Sequence, residues 1–129
     1  LTHSTSRNRK HDFAVFRVDR KVQGRTPLKL EENYRGQIGD SIGMIGSPLG
    51  LPLKIARVGE ILSEDDRYSF QVNVDTYGGN SGSPVFDSRT MKVLGILVAG
   101  EPDFVYNSTL KCNRSRRYLS ERWKGERAY

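Results

Sequence analysis

From Gly36 onward the chain is a series of short β-rich runs cut by glycine, proline and acidic turn signals. The runs are Ser41 to Ile45, Leu53 to Leu62, Tyr68 to Val74, Ser83 to Phe86, Val93 to Val98 and Phe104 to Leu110. Between them lie Gly46-Ser47-Pro48, Gly50-Leu51-Pro52, Glu64-Asp65-Asp66 and Gly78-Gly79-Asn80. Six short strands at this spacing specify an all-β domain, built as an antiparallel barrel or sandwich. Upstream, Asp12-Phe13-Ala14-Val15-Phe16-Arg17-Val18-Asp19 interleaves apolar with smaller or polar residues, which is a further strand signal. The first eleven residues are polar, basic and aperiodic, and are expected to form an exposed or frayed terminus. Residues 20 to 36, charged and holding Gly24 and Pro27, are expected to connect. Near the end, Ser115 is placed to cap a short helix with Tyr118, Leu119 and Trp123 on one side.

A chain of 129 residues can bury one real core, and 36% hydrophobic with 28% charged residues is ordinary for a globular domain. No apolar run approaches the roughly 20 residues of a membrane helix, so no membrane span is expected. The start, Leu1-Thr2-His3-Ser4, is neither an initiating Met nor a signal peptide, so the chain is expected to be a processed product or part of a longer one. The formal charge of +6 is concentrated: residues 105 to 129 carry seven basic and two acidic side chains, leaving +1 for the rest. No zinc-finger spacing, RNP pattern or helix-turn-helix signal accompanies that basic tail, so it is read as a solvated segment and no nucleic-acid partner is expected. Cys112 is the only cysteine, so the fold does not depend on an internal disulfide. No metal and no cofactor are expected.

The chemistry lies in Gly78-Gly79-Asn80-Ser81-Gly82-Ser83-Pro84. Three glycines around one serine admit backbone angles closed to other residues and let N–H groups converge on one cavity. Acyl transfer needs that arrangement, because donors must sit about 3 Å from a developing oxyanion. On this reading Ser81 is a nucleophile and the Gly79 and Ser81 amides, with Asn80 between them, form the oxyanion hole. The alternative is a glycine-rich turn whose serine merely bonds the backbone.

The run resembles the serine motif of the trypsin-like peptidases, most closely the bacterial, disulfide-poor members that include the glutamyl endopeptidases. Asp12-Phe13-Ala14-Val15 resembles that family's catalytic-aspartate motif. Ile45-Gly46-Ser47-Pro48-Leu49-Gly50 is similar to the Gly-x-Pro-x-Gly segment of bacterial members, and Gly95-Ile96-Leu97-Val98-Ala99-Gly100 to the strand lining the substrate channel. The resemblance runs from about Asp12 to Val105. It implies the second six-stranded antiparallel β-barrel of a two-barrel protease, preceded by a strand of the first barrel and followed by a short C-terminal helix. The implied divisions are 1–22 (end of the first barrel, with Asp12), 23–36 (connector), 37–111 (second barrel, with Ser81) and 112–129 (basic tail).

The resemblance also implies a serine endopeptidase acting on protein or peptide substrates, secreted or periplasmic in a bacterium. Asp12 would orient a catalytic imidazole. Asp75, Thr76 and Gly100 would line the substrate pocket, with Asp75 at its base to pair with Arg or Lys and Gly100 as an open wall. A turn-forming role for Asp75 before Thr76-Tyr77-Gly78-Gly79 is the plainer alternative.

A base is missing. The chain holds only His3 and His11. His11 neighbours Asp12, and adjacent residues of an extended chain point to opposite faces. His3 stands in the polar terminus, without the sequence context of the family's histidine, which precedes the aspartate on the first barrel. Both are read as surface residues. The histidine is therefore expected on an N-terminal fragment or chain outside this sequence, and this chain alone should be inactive. A non-catalytic binding module that keeps the protease fold is the competing expectation.

Overall fold

A computed structural model describes residues 2–7, 12–34, 37–66, 69–116 and 125–129. Its elements are β1 (Thr2–Arg7), β2 (Asp12–Arg17), β3 (Ser41–Gly46), a 3-10 turn (Pro48–Gly50), β4 (Lys54–Asp66) and β5 (Ser69–Val72). These are followed by β6 (Pro84–Asp87), β7 (Val93–Ala99), β8 (Phe104–Asn107), β9 (Cys112–Ser115) and β10 (Glu126–Ala128). Six of these close an antiparallel barrel in the order β10-β5-β4-β3-β6-β7, with β7 returning to β10.

Alternation along the strands fills the barrel. Ile42, Met44, Ile61, Phe70, Val72, Val74, Val85, Leu97 and Ala128 are buried together. Each large member contributes roughly 1.5–3 kcal/mol by leaving water. Gly43 lies among them because a side chain there would press on the Phe86 ring. β4 serves two neighbours: its first half pairs with β3 and its second with β5. Register shifts between Ile61 and Ser63 and between Glu64 and Asp66 interrupt its ladder with β5. Such bulges bend a strand and let a sheet close on itself.

The connector is fastened to the barrel. Leu30 bridges Val93, the Glu31 N–H donates to the Val93 carbonyl at 2.9 Å, and Lys92 pairs with Glu31 at 2.6 Å. Tyr34 donates its hydroxyl to Asp40 at 2.7 Å and sets its ring edge-on to Phe70.

Two details depart from the sequence reading. Residues 2–7 are not a frayed end: β1 pairs along its whole length with β2, Thr2 opposite Arg17 and Arg7 opposite Asp12. The partner strand imposes an extended backbone that the polar sequence does not signal. The sixth barrel strand is also not the Phe104 to Leu110 run. β8 forms a separate hairpin with β9, and β10 closes the barrel instead. The run has strand-forming residues, but pairing is decided by what lies opposite. The helix expected after Ser115 falls outside the described residues.

Candidate active site

Ser81 lies between β5 and β6, in a loop held on three sides. The Leu49 N–H of the 3-10 turn donates to the Gly78 carbonyl at 2.8 Å. On the opposite flank the Gly82 N–H donates to the Leu97 carbonyl at 2.7 Å, and the Leu97 N–H returns to Ser83 at 2.9 Å. From the third side, the Asp103 carboxylate accepts the Gly78 N–H at 2.6 Å. Beneath the loop the Asn80 side chain is buried against Gly46, at 2% exposure, where any side chain on Gly46 would collide with it.

The backbone of this loop sorts its own donors. Of the six N–H groups from Gly78 to Ser83, four have acceptors: Gly78 on Asp103, Asn80 on Tyr77, Gly82 on Leu97 and Ser83 on Asn80. The Gly79 and Ser81 amides have none among the described residues. Gly79 adopts φ +97° and Gly82 φ +84°, left-handed values that put a residue with a side chain under strain. Ser81 itself is exposed. The loop thus presents a hydroxyl beside two uncommitted donors, while the Asn80 N–H, counted with the hole in the sequence reading, is committed to the Tyr77 carbonyl at 3.3 Å.

Next to the hydroxyl is a cavity of about 90 Å³, lined by Ser81, Thr76 and Gly100 together with Glu101, Asp103 and Glu126. It continues into a second space of about 220 Å³ that shares those three acids and adds Asp75 and Arg116. Thr76 and Gly100 therefore line the same cavity as Ser81, whereas Asp75 is exposed and faces the space behind. Glu126 was not singled out from sequence. It is buried at 7% exposure on the strand that closes the barrel, and Gly100 passes so close that a side chain there would overlap its carboxylate. Burial pushes the Glu126 carboxyl up from 4.5 to about 7, and the charges of Asp103 and Glu101 add to this. The Thr76 hydroxyl and the Glu101 N–H donate to it and oppose the rise.

Asp12 begins β2 and is exposed, with Arg7 opposite. No described hydrogen bond joins it to Ser81. His3 pairs with Phe16, four residues along β2 from Asp12, or roughly 13 Å at the rise of a strand. The hairpin does not set these two residues side by side. His11 lies outside the described residues. Among those described, no cluster of His, Cys, Asp and Glu is arranged to hold a metal. No helix is long and apolar enough to cross a membrane. Cys112 is exposed on β9 as a free thiol.

Comparison with known proteins agrees with this architecture. Residues 2–96 match the sequence profile of the family described as "Trypsin-like peptidase domain". The chain is 32% identical, over 113 aligned residues, to the glutamyl endopeptidase of Staphylococcus epidermidis, and equally so to the enzymes of two strains of that species. The alignment covers 79% of this chain and 38% of the relative, so the chain spans well under half the length of the curated proteins it matches.

Proposed function

The chain belongs to the trypsin-like peptidase family, and from that premise we propose that it is the nucleophile-bearing part of a serine endopeptidase. One observation carries the reading: within Gly78 to Ser83, the two amides left without acceptors are those of Gly79 and Ser81, beside an exposed hydroxyl. Both residues are exposed, so water can satisfy these amides in the free protein and an incoming oxyanion can displace it.

In the reaction, a histidine from outside this chain takes the Ser81 Oγ proton as Oγ attacks the scissile carbonyl. The Gly79 and Ser81 amides hold the resulting oxyanion. Collapse expels the amine, which receives that proton, and leaves Ser81 acylated. Water, deprotonated by the same histidine, then releases the acid and restores Oγ–H. Asp12 orients the imidazole and steadies its charged form.

The histidine's source is part of the proposal. Phe13, Val15 and Phe16 of β2 are all exposed, at 40% to 61%, on a strand whose residues are exposed along its whole length. Together with the 38% coverage of the relatives, this favours a first barrel supplied by an N-terminal segment that carries the histidine. The complete protein is proposed to be exported, to the medium or the periplasm of a bacterium.

The relatives' name denotes cleavage at glutamyl residues. We propose a preference for Arg or Lys here instead, because three carboxylates line the space beside Ser81 and would repel an acidic substrate side chain.

A fluorophosphonate probe tests the core of this reading. It should label Ser81 in the complete protein, and labelling should vanish in Ser81→Ala. Labelling that survives that substitution rejects Ser81 as nucleophile. A wild-type protein that is never labelled would point to a non-catalytic module.

A further inference from the structure

The geometry points to Glu126 as the residue that sets substrate preference, receiving the cation of a Lys or Arg side chain in the cavity beside Ser81. This rests on the endopeptidase reading above and deepens it, moving the recognising carboxylate from Asp75 to the last strand of the barrel.

Three observations support the assignment. First, Glu126 lines the cavity that contains Ser81, and Asp75 does not. A side chain that enters this cavity from the scissile bond has Glu126 in its wall. Second, the cavity is built around this carboxylate. Gly100 leaves it room, Thr76 and the Glu101 amide orient it, and β10 holds it between β5 and β7. A carboxylate has about four acceptor sites, and these two donors use two of them.

Third, the charges are unbalanced. Glu101 and Asp103 line the same cavity, Asp75 faces the adjoining space, and no Lys, Arg or His among the described residues lines the cavity that holds Ser81. Arg116 lines only the rear space. A desolvated acid among acids is costly, and an entering ammonium or guanidinium relieves that cost where it is most concentrated. At about 90 Å³ the cavity has room for one slender side chain.

The experiment compares kcat/KM of the complete protein on matched peptides that differ only in the residue before the cleaved bond: Lys, Arg, Leu or Glu. Fluorophosphonate labelling of Ser81 is followed in parallel. We expect Glu126→Gln to lower the Lys and Arg values by at least about tenfold relative to Leu, with Ser81 still labelled by the probe. Asp75→Asn should lower them less. If the Lys to Leu ratio in Glu126→Gln matches wild type, or if Asp75→Asn has the larger effect, Glu126 is not the determinant. Preferred cleavage after Glu by a protein that labels at Ser81 overturns the inference and leaves the endopeptidase standing. Absence of labelling in wild type removes both. Should Glu126→Gln not fold, the wild-type Lys to Leu ratio decides. It must fall as pH drops through about 7, the range in which Glu126 takes up its proton, and a flat ratio rejects the assignment.

Discussion

The Asp103 carboxylate accepts the Gly78 N–H at 2.6 Å, joining the segment after β7 to the turn that presents Ser81. Tyr77 and Phe104, the neighbours of this pair, bring their rings to 6.0 Å and reinforce the same junction. The bond is charge-assisted, so it is worth more than a neutral one, though solvent access reduces its value. Asp103→Ala should cost about 1 kcal/mol in stability. The rate of Ser81 labelling should fall more steeply, by about tenfold, because a small misplacement of a nucleophile is expensive. Asp103→Asn keeps an acceptor and should recover most of the rate. Thermal melts and labelling kinetics on the three proteins check this, and wild-type labelling in Asp103→Ala would sink it.

Gly46 is tested by adding one methyl group. A Cβ there would strike Asn80 Oδ1 and lie 2.5 Å from Ser83 Oγ, both part of the loop that holds Ser81. Asn80 is almost wholly buried and has nowhere to move without lifting its loop. Gly46→Ala should therefore cost about 1–3 kcal/mol, as overpacking does, and should suppress labelling as well. Gly50→Ala is the contrast. No atom lies within 4 Å of its added Cβ, so only its φ of +75° is penalised, and labelling should persist.

Much of the barrel was legible because its strands obey simple rules. Ile42 and Met44, or Phe70 and Val72, alternate with residues on the outer face, and Gly-Pro turns separate the runs. The Ser81 loop was recognisable as a candidate site for a local reason: its glycines and serine are contiguous, so the proposed chemistry rests on one heptapeptide. The closing strand was not. Glu126-Arg127-Ala128 has no β-branched or aromatic residue, and its inward positions are an acid and an alanine. Only its pairing with β5 and β7 makes it a strand. Thr76 and Gly100 were expected in the pocket, but Asp103 and Glu126 were hidden for the same reason, since they join them only after the barrel closes.

That closure gives a prediction of its own. The Ile96 N–H donates to the Tyr129 carbonyl at 2.5 Å, and the Tyr129 N–H donates back to Ile96 at 3.0 Å. Gly95 lies directly under this pair, and a side chain there would run into the Tyr129 carbonyl. Gly95→Ala should push the end of β10 off β7 at a cost of about 1–3 kcal/mol. Hydrogen exchange should show the amides of Ile96 and Tyr129 losing protection, with little change at Met44 on the other side of the barrel. Uniform loss at all three would mean global destabilisation instead.

Glu126 should also make stability depend on pH with an unusual sign. Its carboxyl is raised from 4.5 to about 7 in the folded chain, chiefly by burial. The folded state therefore holds this proton more tightly than the unfolded state. The associated stability is fully present below pH 4.5 and is lost as pH rises to about 7, above which the cost is constant. At about 1.4 kcal/mol per unit, the ceiling on that loss is about 3 kcal/mol. Glu126→Gln has no proton to lose. The difference in melting temperature between variant and wild type should be small at pH 4.5 and should grow in the variant's favour up to pH 8. A wild type that gains on the variant over the same interval would show that Glu126 is held charged in the fold, with its carboxylate stabilised by its surroundings and not penalised by them.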